Sequence, residues 1–558
     1  MISFYLNGKQ QQITELNPNT TVLEYLRLNA RQMDTKEGCG SGDCGACTVM
    51  AQRLPMNNST DASSSQPFYT LNACITLLSL MDNHHLMTAA YLADNPEHHP
   101  ERAQLHPAQQ AMVDCHGSQC GFCTPGFVMS LASTYENHRL QKHQHNNGLS
   151  DKDLSYADIV ASISGNLCRC TGYRPIIEAG LSMQKIGQQR EAEQLAAKDL
   201  TLTLATDAMA NTQSKTTASE SATSMDNTNS ASSTIAPALI EGSRQLFIPQ
   251  STAELDQLLA VHPKATIWAG GTDLGLTVTQ QLIDHEVIIQ LSAIESLKSW
   301  SVADANAAGD NYSATAAVPE LIFGAGMSYK KMLPALEQFF PEFAQLFERI
   351  ASPQIRNMGT IGGNVANASP IGDLPPILLA LESRIHLRHC APADDSQNSQ
   401  AAEKTYSDEW MPLSAFFLDY KKTKLRAGSY VVAIHIPLMQ DYEHLFIHKI
   451  SKRYEDDISA CLVAVKIALS SDGMTIDEAK IGLGGMAAIP LLVKNSQQAL
   501  RGQPFTVASF ERAAKALPMD VSPLTDVRAS REYRLHVVQR LLIKCGKQLL
   551  NSSQAQSV

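Results

Sequence analysis

At 558 residues with 44% apolar content and a formal net charge of -11, the chain is long enough for roughly three or four domains with separate cores. The acidic balance argues against a nucleic-acid partner, which would call for a basic patch. No run of about 18 or more apolar residues appears, and MISFYLNGKQ lacks a basic n-region and an apolar h-region, so a soluble cytoplasmic protein with no membrane contact is expected.

Ile2, Phe4 and Leu6 alternate with polar residues up to Asn7-Gly8, and an extended run resumes at Gln12-Ile13. Asn-Gly accepts the positive φ angles of a type I′ turn, so the opening reads as a β-hairpin. Val22, Leu23 and Leu26 fit one helix face, with Thr20 or Thr21 as N-cap. KEGCGSGDCGACTV follows, with Cys39, Cys44 and Cys47, and then Cys74 in LNACITLL. C-x4-C-x2-C with a distant fourth cysteine is the spacing of a plant-type ferredoxin. Gly38, Gly40, Gly42 and Gly45 let the backbone wrap a cluster closely and aim N–H groups at its sulfides. Four thiolates also suit tetrahedral zinc, although zinc sites usually pair their ligands as C-x2-C twice. The stretch Pro55 to Pro67 reads as a polar insertion with no catalytic role.

From about Ala89 the pattern becomes helical. Cys120 and Cys123 lie in GSQCGFCTPG, and Cys168 and Cys170 in GNLCRCTGYRP. Thr124-Pro125 places proline at a helix start, Tyr156 to Ile163 forms another helix, and Pro175 opens a fourth, so helix ends present both cysteine pairs. Polar histidines from His138 to His145 read as loop. Of the twelve cysteines, these eight have metal-site spacing, as befits a reducing compartment. Cys390, Cys461 and Cys545 read as buried small hydrophobes, and Cys115, close before the second motif, is an alternative ligand. The two cysteine groups together, above all C-x-C followed by TGY at Thr171 to Tyr173, resemble the paired 2Fe-2S domains of the xanthine oxidase family of molybdenum hydroxylases.

Residues 201 to 234 are rich in serine and threonine without periodicity, at the centre of a flexible linker spanning 191–238. If they behave as a coil they span on the order of 30 Å, tethering the two halves with slack. Ala265 to Trp268 then reads as a strand leading into AGGTDLG, where an anion could meet exposed N–H groups. SPQIRNMGTIGGNVANASPIGD at Ser352 to Asp373 is polar and glycine-rich between apolar helices, which points to a ligand. Both stretches resemble the FAD-binding domain of the same family. The resemblance implies that Ile267, Trp268, Ala269, Gly270, Gly271, Thr272, Asp273 and Leu274 follow the FAD pyrophosphate. It sets Gly359, Thr360, Gly363, Asn364, Asn367 and Asp373 along the adenosine and ribityl parts, and Val431 and Lys449 near the flavin. Tyr420 in FFLDYKKTKL and Asp456 in HKISKRYEDDISA match positions beside the nicotinamide-dinucleotide route. Residues 301–318 and 391–405 are polar or small-residue insertions, and GLGGMAAIP at Gly482 to Pro490 is expected to start a C-terminal domain.

The expected fold is α+β and multidomain: a β-grasp 2Fe-2S ferredoxin domain (1–88), a helical-bundle 2Fe-2S domain (89–190), the linker (191–238), an FAD-binding α+β domain of vanillyl-alcohol-oxidase type (239–440) and a small C-terminal α+β domain (441–558). The resemblance stops where the molybdenum-binding portion would begin. It therefore implies the electron-transfer small subunit of a xanthine-oxidising enzyme, two small and two large subunits to the assembly, with the molybdenum cofactor on the partner. Electrons would pass through two 2Fe-2S clusters to FAD and then NAD+. A related hydroxylase acting on an aldehyde or N-heterocycle, and a stand-alone flavin reductase, are the alternative functions.

Overall fold

The computed structural model describes residues 1–55, 66–93, 104–144, 153–192, 235–303, 318–390 and 406–556. The centre of the linker, the insertions at 304–317 and 391–405, most of the Pro55 to Pro67 stretch and His145 lie outside the described residues.

The opening hairpin pairs Ile2–Leu6 with Lys9–Ile13, and Asn7 and Gly8 take φ of 50° and 78°, the turn that only residues tolerant of positive φ can make. Strand order across the first sheet is Lys9–Ile13, Ile2–Leu6, His84–Met87, Thr48–Arg53, Phe68–Asn72, with Ile2–Leu6 parallel to His84–Met87. That crossover is a β-grasp. The helix expected at Val22 is shorter than its apolar pattern suggests. Thr21 caps it by accepting from Glu24 N–H, but after Val22–Glu24 the backbone widens into a π-type turn over Tyr25–Asn29.

Four helices form the second unit: Pro107–Asp114, Thr124–Gln144, Tyr156–Ile163 and Arg174–Ala192. Phe127, Met129, Leu131 and Ala132 of the long helix are fully buried with Ile159, Ile176 and Ala179 from its neighbours. Gly180 permits the close crossing, since a Cβ there would come within 2.5 Å of Ile159 Cγ2.

Two sheets make up the next part. Leu239–Glu241, Arg244–Phe247, Val287–Gln290 and Thr266–Trp268 form the first, with parallel pairing around Val287–Gln290. Trp300–Ala303, Glu320–Gly324, Ser429–Pro437, Arg384–Cys390 and Tyr406–Pro412 form an antiparallel second. The stretch read as an insertion from residue 301 thus starts within a strand, Trp300–Ala303. Residues 391–405 connect two strands paired from Arg384 to Cys390. The C-terminal sheet begins at Glu443–Ile450, inside the expected 441–558 unit, followed by Cys461–Leu469 and Thr475–Gly484. Gly482 to Pro490 closes its third strand and does not open a domain. Helices Val507–Ala516 and Arg531–Gln556 complete that unit.

The iron-sulfur and flavin halves do not hang apart with slack. Leu239, Leu246, Trp268 and Ile288 share one apolar core with Phe4, Leu26, Leu71 and Leu77. Asn19 Nδ2 donates to Asp284 Oδ1 (2.8 Å) and to the His285 carbonyl (3.0 Å), while His285 N–H donates back to Asn19 Oδ1 (3.0 Å). Hydrophobic burial supplies most of the adhesion, and each hydrogen bond adds about 1 kcal/mol.

Candidate redox centres

Cys39, Cys44 and Cys47 occupy the coil before strand Thr48–Arg53, and Cys74 follows strand Phe68–Asn72. The coil folds tightly because Gly40, Gly42 and Gly45 take φ of 65°, 79° and 65°, a conformation other residues rarely adopt. Gly38 has room for no side chain, since a Cβ would lie 2.7 Å from Cys44 Sγ. The thiols meet in sequence: Cys39 interacts with Cys44 and Cys74, and Cys74 with Cys47. These shared hydrogen bonds hold Cys39 well below the usual thiol range and push Cys44 and Cys74 up. Ser41 N–H also donates to Cys39 Sγ at 3.3 Å. Cys47 and Cys74 are buried and Cys39 is exposed.

The second set forms at helix ends. Cys123 precedes helix Thr124–Gln144, while Cys168 and Cys170 precede helix Arg174–Ala192. Cys123 meets Cys168, and Cys120 meets Cys170. Burial and then Cys168 push the Cys123 thiol up to about 12. Burial would also raise Cys168, but hydrogen bonds from Thr171 Oγ1 (3.2 Å) and from the Thr171 and Cys170 N–H groups (3.4 Å each) outweigh it and lower the thiol. That is how the TGY sequence after the C-x-C acts locally: Tyr173 OH, in turn, accepts from Cys168 N–H at 3.0 Å. Cys120 and Cys170 are exposed. Cys115 pairs with Ser182 Oγ at 3.6 Å, away from these contacts.

Both donor sets fit a 2Fe-2S cluster: four thiols meeting one another, as a row of three contacts in the first set and two pairs in the second, and N–H donors aimed at sulfur. Among the described residues no three His, Cys, Asp or Glu side chains gather round a single-ion position. The two sets are neighbours. Leu167 N–H donates to the Cys44 carbonyl at 2.9 Å, and the Phe122 ring between Cys120 and Cys123 packs over Gly38.

The flavin stretches come together beside the first set. Gly270 lies so close to the second stretch that a Cβ would overlap the Met358 carbonyl oxygen. Strand Thr266–Trp268 ends at Trp268, and Ala269, Gly270, Gly271, Thr272 and Asp273 turn into helix Leu274–Thr279. Ser352 caps helix Pro353–Met358 and Thr360 caps helix Ile361–Asn367, by accepting from Ile355 and Gly363 N–H. Gly359 is the break between these helices, and its carbonyl accepts from Tyr329 N–H at 3.0 Å. Asn364 Oδ1 is buried without a hydrogen-bond partner at normal geometry, as expected where a polar ligand would complete the site. Asn367 ends its helix, and Asp373 precedes Leu374–Ala380. Asp373 accepts from Lys449 Nζ at 2.7 Å and from Ser459 Oγ at 2.5 Å. Val431 is buried in the sheet strand Ser429–Pro437, on which helix Ile361–Asn367 rests through Ala325. Ile267 is half-buried in its strand.

Helix Leu274–Thr279 also touches the first thiol set. Thr279 Oγ1 donates to the Gly40 carbonyl at 2.8 Å, and Gln280 Nε2 to the same oxygen at 3.1 Å. A Cβ on Gly275 would overlap the Ile75 carbonyl.

Asp456 is half-buried. It takes φ of 43° in a strap held by Arg349, which donates to the Tyr454 carbonyl and Ser451 Oγ and lies 4.6 Å over the Tyr454 ring. Burial pushes the Asp456 carboxyl up to about 6, with Arg453, Arg356 and Lys449 opposing and Asp43 of the first cysteine loop adding to the rise. Tyr420 is 57% exposed, beside Lys421, whose Nζ lies 3.8 Å from Asp273. Among the described residues, Tyr420 and Asp456 share no hydrogen bond. Sequence reasoning missed Asn166, Thr279, Gln280 and Arg349. Each sits next to a recognised stretch but acts on a segment remote in sequence, so spacing holds no trace of it.

Four family models match successive parts of the chain: a 2Fe-2S iron-sulfur cluster binding domain over 4–79, a [2Fe-2S] binding domain over 93–181, an FAD binding domain in molybdopterin dehydrogenase over 242–439, and a CO dehydrogenase flavoprotein C-terminal domain over 446–549. The chain belongs to the xanthine oxidase family of molybdenum hydroxylases. It is 27% identical over 550 residues to xanthine dehydrogenase 1 of Arabidopsis thaliana, covering 93% of this chain and 37% of that protein. Aldehyde oxidase 1 of Bos taurus is 26% identical, with 93% and 37% covered. The chain therefore spans little more than a third of the length of these relatives. A solved structure of Cu,Mo-CO dehydrogenase in its cyanide-inactivated form aligns at 24% identity and a TM-score of 0.46, covering 55% of this chain and 96% of that one. As a member of the family, the chain carries its iron-sulfur, FAD and C-terminal units. No helix among the described residues is long and apolar enough to cross a membrane.

Proposed function

We propose that this chain is the electron-transfer subunit of a cytoplasmic xanthine dehydrogenase, serving the oxidation of hypoxanthine and xanthine to urate in purine catabolism. A partner subunit bearing the molybdenum cofactor supplies the electrons, NAD+ receives them, and two copies of each subunit form the assembly. Cys120, Cys123, Cys168 and Cys170 hold one 2Fe-2S cluster, and Cys39, Cys44, Cys47 and Cys74 the other. Residues 267–274 and 359–373, with Val431 and Lys449, bind FAD. Tyr420 and Asp456 border the nicotinamide route. When bound, the clusters carry single electrons and the flavin handles pairs as hydride.

One observation carries this reading: the three sites are contiguous. Leu167 and Cys44 join the thiol sets through one hydrogen bond, and Thr279 and Gln280 clamp the first set against the pyrophosphate stretch. The chain's residues thereby hold the carriers in order, and the exposed Cys120 and Cys170 of the second set mark where the electron donor would dock, while the first set, whose Cys39 is also exposed, lies against the pyrophosphate stretch. The nearly equal likeness to aldehyde oxidase, 26% against 27% identity, supports a second reading, in which the partner oxidises an aldehyde or N-heterocycle.

The test is the purified chain with and without its copurifying partner. Iron, acid-labile sulfide and flavin are expected in the chain alone, with NADH-dependent dye reduction but no xanthine turnover until the partner is added. Zinc without iron would overturn the redox reading. An aldehyde-specific complex would replace the substrate, and failure of NADH to reduce the flavin would remove NAD+.

A further inference from the structure

The side chain of Asn166, two residues before Cys168, is 2% exposed at the place where three units of the chain meet. Its Nδ2 donates to the Gly45 carbonyl (3.0 Å) and to Thr48 Oγ1 (3.1 Å) in the first cysteine loop. Its Oδ1 accepts from Ser130 Oγ of the long helix (2.7 Å) and from Gln354 Nε2 of the flavin unit (3.3 Å). Two donated and two accepted bonds exhaust what a carboxamide can make. Thr48 is used as fully, because its hydroxyl donates to the Gly45 carbonyl at 2.7 Å and accepts from Asn166 and from Gln354 Nε2 at 3.0 Å. Gln354 itself is 1% exposed.

The surroundings allow no slack. A Cβ on Gly126 would overlap the Gly45 carbonyl, one on Gly45 would overlap the Gly165 carbonyl, and one on Gly165 would overlap Gln354 Oε1. Glycine at three successive contact points brings three backbones as near as they can come, and the amide then fixes their angle. A buried polar group is costly unless all its bonds are made. An apolar contact would glue the same surfaces with less cost but would let them slide, whereas four directional bonds select one arrangement.

We propose that Asn166, with Thr48 and Gln354, is a positioning clasp that fixes the distance between the two clusters and the distance of the first cluster from the flavin. This rests on the cluster and flavin reading above. None of the three touches a carrier. They act through Gly45, which lies between Cys44 and Cys47, and through Cys168, two residues beyond Asn166. Electron tunnelling falls steeply with distance, so a clasp that prevents sliding protects both transfer steps at once.

The experiment uses the full chain, in one sample reduced with dithionite and in another kept oxidised. Iron and flavin content are measured first, and an unsubstituted chain without clusters would refute the underlying reading, not the clasp. Electron paramagnetic resonance on the dithionite-reduced chain then reports the magnetic interaction between the two reduced clusters, and on a second, oxidised sample flash photoreduction of the flavin, with a tertiary amine as sacrificial electron donor, reports the rate at which electrons reach the oxidised second cluster. Asn166→Leu and Gln354→Leu are expected to keep both clusters, to alter the cluster–cluster interaction, and to slow that transfer by about tenfold or more, as small misplacements of reacting groups do. Thr48→Val removes only the hydroxyl and should act in the same direction, while Thr48→Ser retains it and should restore both readouts. An unaltered interaction and transfer rate in Thr48→Val and in whichever amide variants keep their cofactors would overturn the clasp. If the amide variants lose a cluster, Thr48→Val against Thr48→Ser decides alone.

Discussion

Lys449 Nζ sits 2.7 Å from Asp373 Oδ2, with the lysine side chain 1% exposed and the carboxylate 11%. The pair ties the C-terminal sheet to the end of the stretch that begins at Ser352, and Lys449 also donates to the Arg349 carbonyl at 2.8 Å. The same lysine thereby anchors the unit that presents Asp456.

Removing the cation should be costly. In Lys449→Met the Asp373 carboxylate keeps Ser459 but loses its counter-charge, and breaking one side of a buried pair typically costs about 3–5 kcal/mol. Denaturant unfolding should show that loss, and flavin should dissociate more readily. Unchanged stability and flavin retention would mean that the pair serves neither.

Gly270 offers a test of how the flavin stretches touch. In Gly270→Ala the new methyl would overlap the Met358 carbonyl, and backbone cannot yield as a side-chain tip can, so the stretches must part at a cost of about 1–3 kcal/mol. Flavin affinity should fall while iron content stays the same. An equal flavin affinity would show that the contact is not part of the FAD site.

The cysteine sets should be separable. Cys44→Ser is expected to abolish one paramagnetic resonance signal and Cys168→Ser the other, with iron falling from about four to about two per chain in each case. Loss of both signals from either substitution would show that the sets depend on each other, through the Leu167–Cys44 hydrogen bond.

What could be read from the sequence is what depends on short spacing. Cys39 to Cys47 and Cys168 to Cys170 reveal themselves because ligands of one metal group fall within a few residues, and Asn7-Gly8 because a turn type is a two-residue property. The helix after Thr21 was visible in its apolar face, but its unwinding at Tyr25 follows from tertiary packing that overrides local preference. The close docking of the halves was invisible: Asn19 meets Asp284 and Gln354 meets Thr48, and single polar residues hundreds of positions apart carry no periodic signal. The serine-rich linker even suggested the opposite, since composition describes a connection and not the surfaces it connects. Asp456 stands in the charged run YEDD, and nothing in that run announces that the strap half-buries it.

That burial has a consequence for pH. The Asp456 carboxyl is raised from 3.8 to about 6, first by desolvation, so the folded state holds its proton more tightly than the unfolded state does. Stability is therefore fully present below about pH 4 and is lost as pH rises toward 6, with a ceiling of about 3 kcal/mol at neutral pH. Asp456→Asn should stabilise the chain at pH 7.5 and leave it nearly unchanged at pH 4. Equal stability differences at both values would mean that the carboxylate is solvated or compensated by Arg453 and Arg356.

The acceptor side is tested by Tyr420 and Asp456 together. An exposed aromatic at Tyr420 can stack on a planar ring arriving from solvent, and its neighbour Lys421 faces Asp273, so the loop borders the flavin stretch. Asp456 sets charge at the same mouth, and its removal leaves Arg453, Arg356 and Lys449 less opposed, which favours the more negative, reduced form of a nearby flavin. In the assembled enzyme, Tyr420→Ala and Asp456→Ala should each lower the rate with NAD+ by about tenfold or more, in line with the loss of a positioning contact. The rate with a dye that draws electrons from the clusters should change little. Oxygen should gain on NAD+ as competing acceptor in Asp456→Ala, because a flavin held reduced for longer has more time to meet it. Equal losses with dye and NAD+ would trace the effect to flavin binding or folding, and no loss with either would move the dinucleotide route away from these two residues.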